Sequence, residues 1–213
     1  MIILVGGHGS SRDTMLPEAE FLSRYGYGII TFDSPACYGK KATFGYKETE
    51  DVLLAVTYAR QQPGTQWIGV LGFSAGGTAA IRAVARDSDI RAIIAIGNYA
   101  NLWSEMTSIP ANPFSLVWQF EHMIALQYWL RTGALPGTVN PIGELPLISP
   151  RPVLLIHGEI EAERNRGKDQ FRSAQAPKDY WVVPDADHGE YREKAGDEYE
   201  RRILRFFAEA RQP

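Results

Sequence analysis

The chain has 213 residues, 45% of them hydrophobic and 22% charged, which is enough apolar material for one buried core and too much for a disordered or fibrous protein. Lys and Arg number 22 against 25 Asp and Glu, a formal charge of −3, so there is no basic footprint for a nucleic-acid partner. Cys37 is the single cysteine, which excludes an internal disulfide and a thiolate-built metal site and fits a reducing, cytoplasmic setting.

In chain order, short β-branched runs alternate with amphipathic stretches of helix length. That pattern predicts an α/β protein: a single domain over 1–213 with a mostly parallel sheet of about six strands flanked by helices. Strands are expected at 2–5, 28–32, 67–72, 92–96, 153–157 and 179–183, and helices at 17–25, 49–61, 75–86, 167–174 and 197–210. The first residues, Met1-Ile-Ile-Leu-Val-Gly-Gly-His, have no basic n-region and read as a strand, not a signal peptide. Residues 102–148 are too long for an ordinary strand–helix–strand link and read as a helical, cap-like insertion. Within it, Asn112-Pro113 resembles a helix start and Gly133 a helix end. The helix so framed carries Phe114, Trp118, Phe120, Tyr128 and Trp129. It either packs into the core or caps an acyl pocket, with Phe114, Trp118 and Trp129 as candidate substrate contacts. Gln119, Glu121, His122 and Gln127 make it too polar for a membrane span.

Gly72-Phe73-Ser74-Ala75-Gly76 stands between a predicted strand and a predicted helix, the context a strained nucleophile turn requires. A serine hydroxyl needs a base, and His8, His122, His157 and His188 are available. His188 follows the last predicted strand, so a parallel sheet would present it beside Ser74; His8 and His157 precede glycines and read as turn residues, and His122 as a surface or packing residue. The imidazole in turn needs an acid. Glu161, just beyond the strand ending at His157, is the first choice, with Glu159, Asp185 and Asp187 as alternatives. Acyl transfer also needs two backbone donors for the oxyanion. Ala75 N–H is assigned as one and Ser10 N–H, in the Gly6-Gly-His-Gly-Ser10 loop, as the other. That loop lacks dinucleotide-binding spacing.

These residues resemble the α/β-hydrolase superfamily: His8-Gly9 after the first strand, Asp33 ending the second, Gly72-Phe-Ser-Ala-Gly76, His157-Gly158 with Glu161, and Asp187-His188-Gly189. Pro152-Val-Leu-Leu-Ile-His-Gly and Trp181-Val-Val-Pro-Asp-Ala-Asp-His-Gly are similar to its dienelactone-hydrolase and prolyl-oligopeptidase-like branch. The resemblance implies a Ser74–Glu161–His188 triad, an oxyanion hole at Ser10 and Ala75, and no cofactor or metal. It also implies a form shortened at the N-terminus, with a sheet edge left open beside the 28–32 strand where homo-oligomers could pair. Glu161 stands where Asp is common, and Cys37-Tyr38 where relatives often show an Arg-Gly or Gly-rich turn. The expected activity is a carboxylesterase acting on small to medium esters through an acyl-enzyme. A small-substrate peptidase or amidase, or a non-catalytic binding protein, are the alternatives.

Overall fold

The computed structural model describes residues 1–107, 112 and 114–212. Strands β1 (Ile2–Val5), β2 (Ile29–Thr31), β3 (Ile68–Phe73), β4 (Ile90–Ile96), β5 (Val153–Gly158) and β6 (Lys178–Val183) form one sheet in the order β2-β1-β3-β4-β5-β6. Every neighbouring pair runs parallel. The predicted α/β class and six-stranded parallel sheet are therefore what the chain adopts. Parallel neighbours cannot be joined by a tight hairpin, so each link crosses a face of the sheet. The helices are α1 (Leu16–Arg24), α2 (Glu48–Gln61), α3 (Ala75–Arg86), α4 (Leu102–Met106), α5 (Leu116–Thr132), α6 (Pro141–Glu144), α7 (Gly167–Ser173), α8 (Tyr191–Ala195) and α9 (Asp197–Ala210).

The period-2 alternation of a strand divides β1 between two cores. Ile3 and Val5 pack with Val52 and Val56 of α2 and with the small residues of α3. Ile2 and Leu4 face the other way, toward Phe21 and Leu22 of α1 and Ile203 and Phe207 of α9. Central strands β1, β3, β4 and β5 are covered on both faces, which is why they read as unbroken apolar runs.

The 102–148 stretch divides in two. Its last part is core: Leu145 and Ile148 are fully buried in the cluster around α3. In its first part Leu102, Tyr128, Ala134 and Val139 join a small apolar cluster with Ala75 and Tyr99, but α5 itself buries just Ala125 and Tyr128, so it is not a helix packed into the core. The start of α5 also differs from expectation. Ser115 is its N-cap, the hydroxyl accepting from Trp118 N–H at 3.2 Å. Asn112 instead accepts from Phe114 N–H, and Pro113 lies outside the described residues. Gly133 ends the helix at φ 76°, a conformation that favours glycine. Among the described residues, no helix is long and apolar enough to cross a membrane.

Candidate active site

Because all six strands point the same way, the loops following β1, β3, β4, β5 and β6 gather along one rim of the sheet. Ser74 stands directly after β3 and opens α3 with φ 56° and ψ −126°. A non-glycine residue held there stores about 1–3 kcal/mol, which the surroundings must offset. The flanking glycines explain how the turn closes. A Cβ on Gly72 would lie 2.5 Å from Gly76 O, and one on Gly76 would lie 2.2 Å from Gly6 O and 2.5 Å from Val5 O. Both contacts are with backbone, so no side chain could move aside.

Ser74, Glu161 and His188 come together across this rim. His188 Nε2 lies 3.0 Å from Ser74 Oγ, and His188 Nδ1 lies 2.6 Å from Glu161 Oε2. A carboxylate only accepts, so Nδ1 carries the imidazole proton and Nε2 is left bare toward the serine hydroxyl. Phe73 stacks on the His188 ring at 5.0 Å and limits its rotation. Glu161 is fully buried. Burial alone pushes its carboxyl up, but hydrogen bonds from His188, Tyr191 and Gly158 N–H outweigh it and hold the group below its ordinary value. Asn165 donates to Oε2 as well, at 3.0 Å.

The other candidates lie elsewhere. Glu159 is exposed and accepts from Asp185 N–H at 3.0 Å. Asp187 accepts from His188 N–H and faces Arg164 at 3.9 Å. His157 is a fully buried member of β5, with Nε2 2.9 Å from Asn98 O, so it is a core residue and not a turn former. His8 stacks on Phe44 with ring centroids 4.4 Å apart. His122 bonds Trp118 O and stacks on the Trp118 ring.

Ser10 departs from expectation. Its N–H is turned onto Gly7 O at 3.3 Å and its hydroxyl onto the same oxygen at 2.9 Å, so both close the loop on itself. Gly7 is the residue that abuts the nucleophile, since an added Cβ there would lie 3.3 Å from Ser74 Cβ. Among the described residues, the N–H groups of His8 and Ala75 meet no acceptor.

The candidate pocket aromatics lie apart from the cleft beside His8. A cleft of about 400 Å³ opens beside His8, between Phe44, Met106 and one flank of α5 formed by Ile124, Gln127 and Tyr128. An α-helix turns 100° per residue, so Trp118 and Trp129 fall on the opposite flank and do not line it. Phe114 precedes the helix and is 91% exposed. The cleft's floor is held by Tyr128 Oη, which donates to Thr43 O at 2.8 Å, and by Tyr99, which bonds Phe44 O. A separate cleft of about 390 Å³ lies at the far end of the sheet, between Lys178 and Arg202, away from Ser74.

Three site residues carry no sequence signal. Tyr191 reaches Glu161 and stands 3.2 Å from His188 Nδ1; burial and the adjacent Glu161 charge raise its phenol far above the usual value, so it stays a donor. Asn165 belongs to the turn that enters α7. Gly97, at φ 61°, leaves room that a Cβ would take from Tyr191 Oη and His188 Nδ1.

No protein-family model matches the chain. A thiohydrolase of Aspergillus aculeatus, aneE, is 26% identical over 167 residues, covering 74% of this chain and 52% of that protein. The chain thus spans about half the length of the curated relative it matches. An esterase of Pyrococcus furiosus superposes with a TM-score of 0.72 at 22% identity, covering 98% of this chain and 82% of the other. A dienelactone hydrolase of Anabaena variabilis gives 0.67 at 17% identity, covering 98% and 85%. The chain has the fold of these α/β hydrolases.

Proposed function

We propose that this α/β-hydrolase-fold chain is a serine hydrolase that cleaves small to medium carboxylic esters through an acyl-enzyme. The observation that carries the reading is the unbroken relay from Ser74 Oγ through His188 to the buried Glu161, at 3.0 and 2.6 Å. Ser74 Oγ attacks the carbonyl carbon while its proton passes to His188 Nε2. The carbonyl electrons move onto oxygen, where the N–H groups of Ala75 and His8 stabilise them; His8 replaces Ser10 in this role because Ser10 N–H is committed to Gly7 O. Collapse expels the alcohol, which takes the proton from His188. Water then enters, gives a proton to His188 and attacks the acyl-serine; His188 returns that proton to Ser74 Oγ as its bond to the acyl carbon breaks, and the carboxylic acid leaves. Glu161 stays ionised throughout and stabilises the transient imidazolium. Segment 102–148 acts as a partial cap, in which α4 and one flank of α5 wall the acyl side of the cleft.

A thioester is the second reading, favoured by the Aspergillus thiohydrolase. A thiol leaving group, with a pKa of about 8–9, needs less help from His188 than an alkoxide does. The test is a panel of p-nitrophenyl esters from acetate to palmitate, an acyl thioester followed by a thiol reagent, and an aminoacyl anilide. Ester or thioester turnover that Ser74→Ala lowers by about four orders of magnitude supports the reading. A serine-directed fluorophosphonate should label the wild type and spare the variant; labelling at another serine overturns it, and anilide turnover alone favours an amidase.

A further inference from the structure

Helix α5 shows water far more apolar surface than a cleft wall requires. Leu116, Phe120, Met123, Gln127 and Leu130 follow one another at alternating spacings of four and three, the repeat of a coiled-coil seam. The four apolar members are 82%, 58%, 56% and 69% exposed. On a helical wheel the stripe lies opposite Ala125 and Tyr128, the residues that hold α5 to its own chain. Exposed apolar patches beyond a few hundred Å² mark contact surfaces.

We propose that α5 pairs with α5 of a second copy of this chain, in an antiparallel two-fold contact centred on Met123. Leu116 and Leu130 are equidistant from Met123 in sequence, so a two-fold axis there sets Leu116 against Leu130 of the other copy and Met123 against itself. The same arrangement opposes the two helix dipoles. Gln127 is the polar member of the seam, the kind of residue that fixes register in such pairs. The four apolar seam side chains leave roughly 500–600 Å² per chain open to water, below the ~800 Å² per partner of a standard interface, so the pair is expected as a weak, concentration-dependent dimer. Charge favours a protein partner over a lipid surface. Arg131 is the one permanently cationic residue of α5, beside Glu121 and His122, so the helix lacks the basic face that holds interfacial helices on anionic membranes. The β2 edge, by contrast, offers three residues, too few to rival the α5 seam. Ile124 and Gln127 also border the cleft, so the second copy would stand along its outer wall.

Light scattering behind size exclusion at about 50 µM should give twice the 23.8 kDa chain mass. Phe120→Glu with Met123→Glu places like charges across the axis and should raise the dimer dissociation constant by about 100-fold or more. Its circular dichroism and Tm should be unchanged once the wild type is diluted to monomer, because both side chains face solvent in a single chain. In a Cys37→Ser background, Met123→Cys should form a disulfide-linked dimer on oxidation, and Leu116→Cys should cross-link to Leu130→Cys when the two proteins are mixed. A wild-type mass of 23.8 kDa at this concentration overturns the proposal. So does a dimer that survives the double Glu substitution, cross-linking of Leu116→Cys with itself, or a monomer that binds phosphatidylcholine vesicles through α5.

Discussion

Glu161→Gln keeps the shape of the buried acid and removes its charge. The wild-type carboxylate accepts from His188 Nδ1 at 2.6 Å, Asn165 at 3.0 Å, Gly158 N–H at 3.1 Å and the Tyr191 hydroxyl. All four partners are donors, so an amide NH2 meets a donor whichever way it turns. Facing His188, it breaks the relay outright. Facing Tyr191, whose hydroxyl can rotate to accept, it still opposes Gly158 N–H and leaves His188 a neutral acceptor in place of a charged one. The transient imidazolium then loses its counter-charge, and kcat should fall by about 10³–10⁴, or roughly 4–5.5 kcal/mol of transition-state stabilisation. One buried donor left without an acceptor costs about 1–3 kcal/mol of stability, a drop in Tm of roughly 2–12 °C for a chain of this size. The assay is turnover of p-nitrophenyl acetate with Tm measured on the same preparations. Combining Glu161→Gln with His188→Ala should cost little more turnover than His188→Ala alone, since the acid acts through the histidine. Turnover within tenfold of wild type, or a dead Glu159→Gln, refutes the role given to Glu161.

Gly76→Ala drives a Cβ to 2.2 Å from Gly6 O and 2.5 Å from Val5 O, and should cost about 4 kcal/mol or more; an alanine variant that melts like the wild type means the elbow can relax. Ile124→Trp narrows the cleft and should lower kcat/KM for long acyl chains relative to acetate by about 10-fold or more, whereas Trp129→Ala, on the other flank of α5, should leave that ratio unchanged; the opposite pattern restores the tryptophans as pocket residues. The Glu161 carboxyl is held below its ordinary 4.5 in the folded chain. Its stabilising contribution is therefore complete above about pH 4.5 and fades as pH falls through the lowered value. The Tm gap between wild type and Glu161→Gln should shrink as pH falls below about 4.5, and a gap that stays constant removes the charged-state contribution.

Local chemistry made much of the framework legible in the chain itself. Apolar β-branched runs such as Ile2-Ile-Leu-Val and Val153-Leu-Leu-Ile announce strands buried on both faces, and Gly72 and Gly76 announce a turn too tight for a Cβ. Ser74, Glu161 and His188 were legible as residues of strand-end loops, because a parallel sheet collects those ends on one rim. Tertiary structure decided what depends on direction. Ser10 and His8 sit two residues apart in one loop, and a hydrogen bond to Gly7 O distinguishes them. Tyr191 at the start of α8 and Asn165 in the turn before α7 reach Glu161, and Gly97 after β4 leaves room beside His188, with no spacing in the chain that couples them. Helix α5 is apolar on nearly every side, so its composition carries no phase: the packing of Ala125 and Tyr128 alone turned Ile124 to the cleft, Trp118 and Trp129 away from it, and the seam through Met123 to solvent.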